Sequence, residues 1–64
     1  ASFLVEHYMA TGRYEEAIVA ADVILRHAPD DVYVILKRGS AFYLLLKRDT
    51  AHRATDAIAQ VLQA

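Results

Sequence analysis

The sequence predicts an all-α fold of two antiparallel helical hairpins, one stacked on the other. Apolar residues recur every three or four positions along most of the chain, which is the spacing of one face of an α-helix. Gly12 and Pro29 interrupt this pattern, and a change in the sign of charge interrupts it again at residues 47–50. Because the predicted loops are short, consecutive helices must lie side by side and run in opposite directions.

Helices one and two have clear predicted ends. We expect helix one at about residues 2–10, because Gly12 supplies the left-handed backbone position that commonly follows a helix. Helix two begins with two acids and ends with two basic residues, which suits the helix dipole. These are Glu15 and Glu16 at the start, and Arg26 and His27 at the end. The predicted buried face of helix two is Ala17, Ile18, Ala21, Ile24, Leu25 and Ala28.

Helices three and four follow Pro29, which cannot continue helix two. Asp30 or Asp31 can accept a hydrogen bond from the first free amides of helix three, which we expect over residues 32–46. A basic pair followed by an acid and a threonine then predicts the end of one helix and the start of the next. These four residues are Lys47, Arg48, Asp49 and Thr50. The predicted face of helix four is Ala51, Thr55, Ile58 and Leu62.

Composition excludes several classes of protein. With 7 basic and 8 acidic residues, the chain has no net charge that would attract nucleic acid or an anionic membrane, so neither partner is expected. The longest apolar run, residues 41–46, is far shorter than the ~20 residues that span a bilayer. There is no cysteine, hence no disulfide and no thiolate metal site. Nothing in the sequence indicates a compartment, and the missing initiator methionine suggests a fragment of a longer protein.

An offset of 34 residues relates the two halves of the chain, which we treat as one domain of two units, 1–31 and 32–64. It aligns Tyr8 with Phe42 and Ala17 with Ala51. On these residues the chain resembles the tetratricopeptide repeat family, whose unit is a helical hairpin of this length. The matching residues are Leu4, Tyr8, Gly12, Tyr14, Ala17 and Pro29 in unit one, and Gly39, Phe42 and Ala51 in unit two. The resemblance implies a short right-handed α-solenoid. Two positions depart from the family pattern: Arg38 stands where the family usually has leucine, and Leu46 replaces a turn glycine.

The same resemblance implies a groove, lined by the first helix of each hairpin, that binds a peptide or a helix of a partner protein. Carried over position by position, its residues are Phe3, Glu6 and Met9 in helix one, and Tyr33, Leu36, Lys37, Ser40, Tyr43 and Leu44 in helix three. Helical spacing supports this set independently, because the helix-three members lie away from the face of Ile35, Gly39, Phe42 and Leu46, which can meet helices two and four. The alternative is that the tyrosines pack against a neighbouring repeat.

The histidine, acidic and basic residues do not form a recognisable active-site pattern. His52 and Asp56 share a helix face, but no third ligand or nucleophile is placed beside them, so we interpret them as a solvated charge pair. The basic pairs at 37–38 and 47–48 have no glycine-rich loop and are interpreted as solvated helix ends. We therefore predict no catalytic residue, no metal and no cofactor.

Two functions remain open. The first is a non-enzymatic protein-interaction module that binds a peptide or helix in the groove. The second is a structural self-association unit, a homo-oligomer joined through its uncapped helical ends, since terminal repeats usually need a polar outer face and residues 61–62 are apolar.

Overall fold

The computed structural model describes residues 2–63, which form three α-helices: α1 (Phe3–Ala10), α2 (Tyr14–His27) and α3 (Val32–Gln63). No strand occurs within these residues. The predicted all-α class is confirmed. The expected bounds of the first two helices are also confirmed to within a few residues.

The turn between α1 and α2 is set by Gly12, whose φ of 75° lies in the left-handed region. The Gly12 amide donates to the Met9 carbonyl at 3.3 Å, and the Arg13 amide donates to the Tyr8 carbonyl at 2.8 Å. This pair of bonds is the Schellman arrangement, which satisfies carbonyls that the end of a helix leaves free. The predicted role of Gly12 is therefore confirmed.

The start of α3 is capped by Asp31, as expected for one of the two aspartates after Pro29. Its Oδ1 accepts a hydrogen bond from the Val34 amide at 3.2 Å.

Two ion pairs between α2 and α3 show the relative direction of these helices. Arg38 Nε lies 2.6 Å from Asp22 Oδ1, and Arg48 lies 3.2 Å from Glu15. Since residue numbers rise along α3 as they fall along α2, the two helices run antiparallel.

The hydrophobic core is small and rich in alanine. Its buried members are Val5, Ala17, Ala21, Val34 and Ala41. Small side chains on α2 and α3 let the two helix backbones approach closely. Burial of Ala17 and Ala21 confirms the predicted inner face of α2, on which Ile24 and Leu25 are half-buried against the same cluster.

The predicted break between a third and a fourth helix is wrong, because α3 runs without interruption through residues 47–50. Those residues include no glycine or proline to end a helix, and Lys47 and Arg48 favour its continuation. The Thr50 hydroxyl donates to the Leu46 carbonyl one turn earlier, at 2.9 Å, instead of capping a new helix. Thr55 makes the same bond to Ala51.

The second hairpin is consequently not formed, and its predicted inner faces are exposed. Ile35 and Phe42 are each 46% accessible, and Leu46 is 67% accessible. Ala51, expected to allow close helix approach, is exposed as well. The residues of α3 that face the core are Val34 and Ala41 instead.

The molecule is elongated as a result. Its principal extents are 52 × 18 × 14 Å, and its radius of gyration is 15.3 Å. A compact domain of this length has a radius of gyration of about 11 Å. Every described residue from 46 onward is exposed, so the last part of α3 projects from the packed part of the molecule.

Candidate functional site

One face of α3 is exposed along almost its whole length, and we call it the α3 stripe. Its members follow one another at intervals of three or four residues, so they lie along one side of the helix. They are Tyr33, Leu36, Ser40, Tyr43, Lys47, Ala51, Ala54, Ile58 and Val61, and each is exposed. At 1.5 Å per residue the stripe is about 42 Å long.

The first end of the stripe lies against α1. The Tyr33 hydroxyl donates a hydrogen bond to the Glu6 carboxylate, and the Lys37 ammonium lies 5.4 Å from the centroid of the Tyr33 ring. The structure thus brings together three residues predicted for the groove, one from α1 and two from α3.

The hydrogen bond to Glu6 raises the pKa of the Tyr33 phenol above its ordinary value, and desolvation and the negative charge of Glu6 act in the same direction. The phenol donates only while it is protonated, so the bond favours the protonated form. Tyr33 therefore stays a hydrogen-bond donor throughout the neutral pH range.

The other predicted groove residues have different surroundings. Met9 is half-buried and packs against the core, so it is chiefly a structural residue. Phe3 is 75% exposed and stacks on His7, with ring centroids 6.4 Å apart. The remaining predicted members all lie on α3. Leu36, Ser40 and Tyr43 are exposed on the α3 stripe, and Leu44 is half-buried at its edge.

The second half of the stripe, from Lys47 to Val61, was not part of the predicted groove. It belongs to the site only because α3 is continuous, which places Ile58 and Val61 in line with Leu36 and Tyr43. The lack of any glycine or proline in residues 47–50 is the sequence signal that points to continuity.

Two arginines expected at solvated helix ends instead pair with acidic residues of α2. Arg38 pairs with Asp22, and its guanidinium lies 4.9 Å from the centroid of the Phe42 ring. Arg48 reaches Glu15, and it also lies over the Tyr14 ring at 5.8 Å. Arg38, which departs from the repeat pattern, thus has an acidic partner on α2. Lys47 is the positively charged member of the α3 stripe.

A second apolar surface lies between α1 and α2. It is a groove of about 510 Å³ whose lining includes Leu4, Val23 and Ile24. A shallower depression of about 330 Å³ adjoins it at Leu4 and contains Val19. Along α2 the lining of this surface runs from residue 15 to residue 28, about 20 Å of helix.

Residues 2–63 contain no cluster of histidine and acidic residues that could hold a metal ion. In the same part of the chain, no helix has the length and apolar character required to cross a membrane. No family model, curated protein or solved structure matches this chain.

Proposed function

We propose that this chain is a non-catalytic protein-interaction module that binds an amphipathic helix along the α3 stripe. The observation that carries the proposal is the exposure of large apolar side chains along one face of a continuous helix. Leu36, Tyr43 and Ile58 are 64%, 64% and 61% accessible. Extended apolar surfaces of this kind usually mark a site of interaction with another protein.

A helix is the ligand that best fits the geometry of the stripe. Apolar side chains spaced by three and four residues leave gaps that receive the same spacing from a second helix. Helix recognition on such a surface uses anchors at i, i+3, i+4 and i+7. Tyr33 and Tyr43 add aromatic area, which is enriched among residues that dominate binding energy.

We propose further that the resemblance to the tetratricopeptide repeat family applies to residues 2–46, as one repeat unit followed by the first helix of the next. The positive φ of Gly12 and the burial of Ala17 favour this interpretation. An α-solenoid would then require additional helices packed beside α3 in place of the predicted fourth helix.

The test is a displayed library of amphipathic helical peptides of about 20 residues, long enough to cover ~30 Å of surface. Peptides selected on the wild-type chain are measured against Tyr43→Ala and Val19→Ala, which replace side chains of equal accessibility, 64%, on α3 and α2. We expect Tyr43→Ala to weaken binding about 30-fold, the effect of losing ~2 kcal/mol at an aromatic anchor. Val19→Ala should bind as the wild type does. The opposite pattern would place the binding site between α1 and α2 and overturn the proposal.

A further inference from the structure

We infer that the occupant of the α3 stripe is a second copy of this chain, whose α3 lies antiparallel to the first across a twofold axis at Lys47. The inference rests on the proposed function, because it assigns a partner to the same surface. Three observations carry it: the exposed area of the monomer, the arrangement of side-chain sizes along the stripe, and the absence of burial beyond residue 45.

The chain exposes more surface than a compact monomer of its mass. The chain exposes 4891 Å² of surface. A compact folded monomer of its mass, 7.1 kDa, exposes about 4,100 Å². The excess of roughly 800 Å² is similar to the area that each protein buries in a standard interface.

The order of side chains on the stripe is self-complementary in the antiparallel sense. The intervals between its members read the same in both directions from Lys47. Because any helix face has nearly regular spacing, the intervals alone do not fix the register of the pair. The sizes of the side chains that meet across the axis fix it. The pairs formed across the axis are Tyr43 with Ala51, Ser40 with Ala54, Leu36 with Ile58, and Tyr33 with Val61. A large residue next to the axis meets a small one, which lets the two helices approach.

The pairing also supplies contacts that the second half of α3 lacks. Residues 51–63 are exposed throughout, and an isolated helical segment of this length is marginal in water. In the dimer each of these segments lies along the first half of the partner's α3. Because the twofold makes the two contacts identical, the assembly closes as a dimer and does not grow into a fibre.

Lys47 faces its own copy at the axis, and this contact weakens the dimer. The two like charges repel, although long lysine stems let the ammonium groups turn toward solvent. Added salt screens the repulsion, so the dimer should become tighter as ionic strength rises. Lys47→Leu should tighten it at least ~10-fold. Arg53→Leu removes a charge from the same helix outside the stripe and should leave the dissociation constant unchanged.

The register is tested with single cysteines in a chain that has none of its own. Under mild oxidation, Lys47→Cys should form a disulfide-linked dimer by itself. Ser40→Cys and Ala54→Cys should link when mixed, and neither should link alone. Asp56→Cys, on the opposite side of α3, should remain unlinked. All four positions are exposed, so the substitutions leave the core intact.

The same samples are followed by light scattering across a wide concentration range. A dimer that dissociates on dilution and shows this pattern of linkage supports the inference. Linkage of Ser40→Cys or Ala54→Cys with itself would mean a parallel pair and overturn it. Oligomers that form without any of these links would show a different interface and also overturn it. A chain that stays monomeric at every concentration but binds library peptides overturns only the inference, whereas a monomer that binds none overturns the proposed function too.

Discussion

Two glycines in this chain have opposite structural roles, and the difference is measurable. Gly39 lies inside α3, and a methyl group added there has no heavy atom within 4 Å. Because glycine weakens a helix interior, Gly39→Ala should raise the free energy of unfolding by about 0.5–1 kcal/mol. Gly12→Ala should lower it by roughly 1–2 kcal/mol, since only glycine adopts its φ of 75° without strain. Urea denaturation at low protein concentration measures both changes.

The outcome at Gly39 also tests the continuity of α3. In the predicted stacked hairpin, Gly39 lies on the face that a returning fourth helix would contact, where an added methyl would clash. Destabilisation by Gly39→Ala would therefore contradict the exposed position seen here.

Tyr33 should titrate above the ordinary pKa of a tyrosine, because the hydrogen bond to Glu6 raises its pKa. The folded state favours the protonated phenol, so the bond stabilises the protein fully below the unfolded pKa of ~10. This contribution is lost as the pH rises through the higher pKa of the folded state. Glu6→Ala should bring the pKa of Tyr33 down toward its ordinary value.

Ultraviolet absorbance of tyrosinate during an alkaline titration gives this measurement, with Tyr33→Phe used to assign the signal. Asp56→Ala serves as the matched control, because it also removes a carboxylate but lies on the exposed far part of α3. An identical shift in both variants would show that net charge, and not the contact with Glu6, sets the pKa.

At the scale of helices, α3 consists of two parts with different support. Residues 32–45 pack on α2 through buried Val34 and Ala41, whereas residues 51–63 are exposed. Truncation after Thr50 should therefore change the free energy of unfolding by less than about 0.5 kcal/mol in dilute solution. Hydrogen exchange of the intact chain should be fast in residues 51–63 and slow around Val34.

A loss of several kcal/mol on truncation would mean that the last part of α3 folds back on the rest of the chain. At concentrations where the antiparallel dimer forms, the backbone amides of residues 51–63 should instead become protected from hydrogen exchange. Measurements at two concentrations separate these explanations, because only dimerisation depends on concentration.

At the scale of the whole molecule, one small core among residues 2–63 joins the three helices. Val5 from α1, Ala21 from α2 and Val34 from α3 meet in it. Val34→Ala should lower the free energy of unfolding by about 2 kcal/mol, through lost burial of two methyl groups and the cavity left behind. Val61→Ala makes the same chemical change at a side chain that is 75% accessible, and should cost less than about 0.5 kcal/mol.

Thermal and chemical unfolding of the two valine variants, both at low concentration, provide the comparison. For a chain of this length a loss of 2 kcal/mol is a large part of the total stability. Equal effects of the two substitutions would contradict the division into a packed part and an exposed part.

The sequence by itself determined the all-α class, the bounds of α1 and α2, and the residues that end or begin them. Gly12 and Asp31 act through bonds to backbone groups a few residues away, so their effects are readable from local sequence. Part of the candidate site was predictable for the same reason, since Leu36, Ser40 and Tyr43 share a face by helical spacing alone.

Only the tertiary structure decided whether residues 47–50 end a helix. Their charges permit a break, but a break is favourable only if the following helix gains burial by returning to the core. In the structure α3 continues through these residues, where Arg48 pairs with Glu15 and the Thr50 hydroxyl donates to the Leu46 carbonyl. The length of the α3 stripe, and with it the proposed partner, depends on whether the second half of α3 finds burial against the rest of the chain, which helical periodicity does not encode.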